Sequence, residues 1–225
     1  MTERPRGIDP GSAEVKAGSE LGSSDGASEA GAARALAHLL EGLERAGTTV
    51  MDLVRRGQPK TPWRLYPGEA GIFDRRTHCQ FYYHSHEGRP EEAGHFHTVR
   101  LFPDHTVHLV AISMAPDGWP QALFTVNQWA TGDAWEPAAT IARYVREFHV
   151  DERRGPREVV RFVNLVFRAF RREIEQLQEE KVAALLDHQR RHPDRNARDD
   201  RRLEILSRVS VDVRRAVAPA PAGGR

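Results

Sequence analysis

Cysteine is nearly missing from this 225-residue sequence, and lysine is scarce. The single thiol, Cys79, excludes an intramolecular disulfide and fits a reducing compartment, so a cytoplasmic location is expected. Only Lys16, Lys60 and Lys181 are lysines. The remaining basic residues are arginine, which together with the many alanines reads as the codon bias of a GC-rich bacterial gene. Net charge is +1 at pH 7, so no global field points to nucleic acid, and none is expected as a partner. The arginines after His188 are interrupted by Asp194, Asp199 and Asp200 and read as a solvated helix face. No apolar run approaches the roughly 18 residues needed to cross a bilayer, and the first residues lack the apolar core of a secretory signal. No membrane association is expected. Glycine-rich phosphate loops, the G-x-S-x-G elbow and a helical H-E-x-x-H are absent as well.

Hydrophobic residues make up 39% of the chain, low for a globular protein, so part of it adds no core. Residues 1–30 are the obvious part: Gly, Ser, Ala and Glu without an aromatic residue, too little apolar surface to offset the entropy of ordering. They are expected to form a disordered N-terminal arm. Residues 31–217 are expected to be a single α+β domain with a C-terminal helical extension, and 218–225 a flexible tail.

Helical spacing of Leu36, Leu39, Leu40, Leu43, Val50, Leu53 and Val54 predicts an N-terminal helix, weakened near Gly47. Residues 58–75, with Pro59, Pro62, Pro67, Gly68 and Gly71, read as a turn-rich connector. Four β-branched or aromatic segments follow, 78–86, 94–102, 106–114 and 121–129, separated by short polar links. They predict a four-stranded antiparallel meander. Pro137 and Pro156 mark helix starts; Val159, Val163, Val166, Phe170, Ile174 and Leu177 form the stripe of a long amphipathic helix reaching towards His192-Pro193. A last helix is expected over about 198–217, from Leu203, Leu206, Val209 and Val213. The expected fold is therefore α+β: a four-stranded sheet flanked by an N-terminal helix and covered by C-terminal helices. Those helices are also where a homo-oligomer would form.

Seven of the eleven histidines lie between His78 and His108. Alternate strand residues share a face, so His84 and His86 point one way, as do His95 and His97. If His86 pairs with His95, then His84 pairs with His97 and all four imidazoles share one face. Across strands their β-carbons would stand about 5 Å apart, close enough to offer three or four nitrogens to a divalent ion. Tyr82 joins that face. If the turn after Phe102 keeps the parity of a two-residue hairpin, His108 falls beside Val99 on the same side. Cys79 shares the opposite face with Phe81 and Tyr83 and is not counted as a ligand. A carboxylate would have to come from Glu87, Glu91 or Glu92 in the loop, or from elsewhere in the fold. His84, His86, His95 and His97 are the metal candidates. His108 and Tyr82, with Asn127, Gln128 and Trp129 closing the fourth strand, are candidates for supporting or ligand-binding roles.

Imidazole donors suit zinc, iron, nickel or copper, and zinc or iron is the expected ion. Three of them with an open position suit a hydrolase, and two with a carboxylate suit an iron-dependent oxygenase. The alternative is a non-enzymatic module whose metal-free histidine face holds a small polar ligand or a partner. The spacing His84-x-His86-x4-Glu91 resembles the first metal motif of the cupins, at that point alone. The glycines of that motif would fall at His78 and Thr98, and no second motif follows.

At QFYYHSH, GHFH and NQWATGD the chain resembles a bacterial domain family of unknown function, over residues 60–217. The family has no established activity, so the resemblance implies no catalytic residue.

Overall fold

The structure, a computed structural model, describes residues 21–217. The expected flexible tail, and the arm up to residue 20, lie outside the described residues. Helix α1 (Leu21–Arg45) begins inside the segment expected to be disordered. Its buried face, Ala32, Ala33, Leu36, Ala37 and Leu40, packs into the main core. The helix ends ahead of Gly47, whose φ of +66° suits glycine, and α2 (Val50–Arg55) restarts behind a capping box. The Thr49 hydroxyl accepts from the Asp52 amide at 3.1 Å, and the Asp52 carboxylate accepts from the Thr49 amide at 3.0 Å.

The sheet has six antiparallel strands in chain order, not the four expected: β1 (Ile72–Asp74), β2 (Cys79–His84), β3 (Gly94–Leu101), β4 (Thr106–Met114), β5 (Pro120–Val126) and β6 (Ile205–Ser210). The four middle strands match the sequence reading in place, but the fourth ends at Val126, and Asn127 caps a short helix that takes Gln128 and Trp129 out of the strand. β1 lies in the turn-rich connector, too short to leave a periodic signal, and covers half the edge of β2. The other half is covered by residues 63–66: the Trp63 amide donates to the Ser85 carbonyl at 2.8 Å, and Tyr66 bridges Tyr83.

β6 replaces the middle of the expected last helix. The spacing of Leu203, Leu206, Val209 and Val213 fits a helix, but the edge of β5 needs hydrogen-bond partners, and that tertiary demand decides. Ser207 anchors the added strand, with its hydroxyl 2.6 Å from that of Thr125 and donating to the Leu177 carbonyl at 2.8 Å. Only α7 (Val213–Val217) remains helical there.

Between β5 and β6 run α3 (Gln128–Thr131), α4 (Ala138–Glu147), α5 (Arg157–Ala169) and α6 (Arg171–Arg191). The predicted stripe from Val159 to Leu177 is buried throughout, although the helix breaks at Phe170. Helices and sheet share one core: Phe81, Tyr83, Phe96, Ile112 and Leu123 from the sheet meet Leu36, Phe162 and Val166. Phe96 and Phe162 join the layers, with ring centroids 5.5 Å apart. Only one sheet face is needed for this core; the other carries the histidines. Among the described residues no helix is long and apolar enough to cross a membrane.

Candidate metal centre

The hairpin of β2 and β3 builds the site, in a register two residues away from the expected one. His84 pairs with His95 and Tyr82 with His97. β2 stops at His84, so His86 belongs to the loop. A two-residue shift preserves the face, which is why the histidines still gather. At the start of β3, Gly94 has a φ of +148° and packs under the His84 carbonyl and the Tyr83 hydroxyl, where a Cβ would collide with both.

Val99 pairs with His108 as expected, and the register then shifts at Thr98/Val99. This bulge lets Leu109 and Val110 both enter the main core. It also sets Ala111 opposite His97 and Ser113 opposite His95. Small residues there leave room for the rings.

Three Nε2 atoms converge. That of His84 lies 2.7 Å from His95 Nε2 and 3.2 Å from His97 Nε2. The three ligand atoms fall within 4.8 Å of one another. Nitrogens bound to one ion at about 2.0–2.1 Å stand roughly 3 Å apart, so the spacing is that of a chelating trio. Behind them, His95 Nδ1 donates to Glu92 Oε1 at 3.1 Å, and His97 Nδ1 lies 2.9 Å from His108 Nε2. Ser113 Oγ donates to the same Glu92 oxygen at 2.8 Å, while Arg89 reaches the other at 3.3 Å. Glu92, His95, His97 and His108 are buried; His84 is half-buried and marks the open side.

The electrostatics disfavour charge on His84, His86, His97 and His108. Burial, and then the charges of His95 and His86, push His84 down to about 3. Burial, and then His95 and Arg89, bring His86 to about 4. Burial followed by the Lys181 charge brings His108 to about 3, and burial holds His97 well below the ordinary imidazole value. For Glu92, burial works upward, but the hydrogen bonds from His95, Ser113 and Arg89 and the His95 charge outweigh it, leaving the carboxyl at about 2. Glu92 is therefore an acceptor, and its bond to His95 Nδ1 favours the tautomer whose Nε2 faces the other two rings as a lone pair.

The other candidates are placed as follows. His86 stands beside the trio rather than in it, with ring centroids 4.9 Å from His84 and 5.0 Å from His95. The Tyr82 ring lies 5.3 Å from that of His97. Asn127, Gln128 and Trp129 do not join this cluster. Asn127 Nδ2 donates to the carbonyls of Ala197 and Leu203, both at 2.9 Å, its Oδ1 accepts from the Gln128 amide, and Trp129 Nε1 donates to Leu203 at 3.0 Å. Those bonds fasten the segment ahead of β6. Cys79 is buried in the core on the opposite face, as its parity requires.

Two supporting groups had no sequence signal. Ser113 reaches the centre only because of the bulge. Lys181 on α6 is buried with its ammonium 4.6 Å from the Trp135 ring, and burial lowers it to about 8.

No curated protein and no solved structure matches the chain. A family model described as a domain of unknown function matches residues 30–211, which takes in most of α1 as well as the whole sheet. The chain belongs to that family, DUF6969.

Proposed function

We propose that His84, His95 and His97 bind one divalent metal ion through Nε2, and that the protein is a metal-dependent hydrolase with zinc as the best-suited ion. One observation carries this reading: three imidazole nitrogens converge while the far nitrogens of the two buried rings are engaged by Glu92 and His108. An acceptor on the far side of a ligating imidazole fixes its tautomer and orientation. Three protein ligands with an exposed fourth side are the pattern of catalytic zinc sites, and the half-buried ring of His84 supplies that side.

An ion held there acts as a Lewis acid towards water and towards a substrate carbonyl or phosphoryl oxygen. The chain's own part is positioning. Glu92 and His108 orient their imidazoles, and Tyr82, pushed up to about 12 by burial and the Asp133 charge, keeps its proton to donate to a substrate oxygen. The oxygenase reading needs a carboxylate among the ligands. Glu92 instead meets Nδ1 of His95, which favours hydrolysis.

A second reading has an observation of its own. Glu92, His95, His84, His97 and His108 form an unbroken line of hydrogen-bond contacts that can stand without an ion, as in a metal-free ligand-binding face. Reconstitution with cobalt(II) separates the two. The visible spectrum of a low-coordinate, imidazole-bound ion supports the metal centre; the spectrum of the aqueous ion alone supports the metal-free face.

A further inference from the structure

Trp63 is 63% exposed, yet its backbone has a φ of +66°. Both features are unfavourable: a bulky side chain in the left-handed region is strained, and the indole leaves apolar surface in water. The core does not need it. What holds it is the hydrogen bond to Ser85, which sets the indole against the metal candidates. Its centroid lies 4.1 Å from the His86 ring and 6.4 Å from the His84 ring.

Tyr82 lies 6.2 Å from the His84 ring, and like Trp63 it stands nearly perpendicular to that ring, at interplanar angles of 81° and 78°. Two aromatics thus flank the one half-buried ring of the trio. Beneath Trp63, His86 Nε2 is buried without a hydrogen-bond partner. A buried, unpaired nitrogen costs stability unless something bonds to it.

We propose that Trp63, His86 and Tyr82 form the mouth of the centre and select a substrate with a planar aromatic group. The substrate ring stacks on Trp63, with His86 supporting the indole from below, and an oxygen accepts from the Tyr82 hydroxyl. This rests on the metal reading above. It adds the substrate class, and it explains why a strained tryptophan is held in solvent.

The test uses the full chain loaded with cobalt(II), its metal content measured first, and two probes with the same chelating group, acetohydroxamate and benzohydroxamate. Wild type should bind the phenyl-bearing probe about tenfold more tightly. Trp63→Gly should erase that preference, leave acetohydroxamate affinity and metal content unchanged, and not lower the melting temperature, because glycine accepts the left-handed backbone. Trp63→Phe, which keeps a ring, should retain most of the preference. Equal affinities in wild type, or a preference that survives Trp63→Gly, overturn the mouth. A lowered melting temperature in Trp63→Gly assigns the indole to the fold and overturns it too. Failure of wild type to retain cobalt overturns the centre itself, and the mouth with it, and the metal measurement identifies that case.

Discussion

His84 and His95 are directly paired across the first hairpin, with their Nε2 atoms 2.7 Å apart. Because the Glu92 carboxylate accepts a hydrogen bond from His95 Nδ1, it favours the tautomer in which the Nε2 lone pair of that ring faces His84. One proton could bridge this pair, but the Nε2 of His97 also stands 3.2 Å from His84. A cation satisfies all three nitrogens at once; a single proton does not.

Glu92 acts through His95, so replacing it should weaken the metal without dismantling the fold. Glu92→Gln removes the charge and keeps an acceptor. It is expected to lower metal affinity roughly 10- to 100-fold in a chelator competition, while the circular dichroism spectrum stays unchanged. Wild-type affinity in this variant would remove Glu92 from the centre.

Acid should destabilise the metal-free chain early. His84 and His108 lie at about 3 and His86 at about 4, against 6.5 for a free imidazole. Between those values the unfolded chain binds more protons than the folded one, so stability is full above 6.5 and falls as pH drops through the interval. Glu92, lowered from 4.5 to about 2, contributes in the same direction: its stabilisation is present above 4.5 and is lost as pH falls towards 2. Urea midpoints of chelator-treated protein should therefore decline steadily from about pH 7 to pH 5, less steeply when His84 and His86 are glutamine. A flat profile in both proteins contradicts the burial of neutral imidazoles.

Gly94 couples fold to site. Gly94→Ala places a Cβ against the His84 carbonyl and the Tyr83 hydroxyl in a backbone conformation that alanine resists. A loss of about 1–3 kcal/mol is expected in urea unfolding, together with weaker metal binding, because the same backbone positions His95. Unchanged stability would show that the strand start relaxes freely.

Much of this was legible beforehand, for reasons that differ by residue. Strand parity with an assumed hairpin register put His84, His95 and His97 on one face and Cys79 on the other, and that argument survives a two-residue slip in register. It did not say where β2 stops, so His86 read as a ligand although the chain leaves the ladder at Ser85. Glu92 was visible only as one of three loop carboxylates; choosing it requires the fold of the loop. Ser113 became a neighbour through a bulge, which no alternation of residues announces. β6 was hidden because its apolar spacing fits a helix, and the edge of β5 that recruits it comes from residues far away in sequence.

The central claim is tested most directly by the metal content of untagged, natively purified protein, measured by mass spectrometry beside a variant with His84→Ala and His97→Ala. The account predicts near-stoichiometric zinc in the wild type and its loss in a variant that remains folded. Wild-type protein free of metal even after reconstitution, or a variant that retains its metal in full, would contradict it.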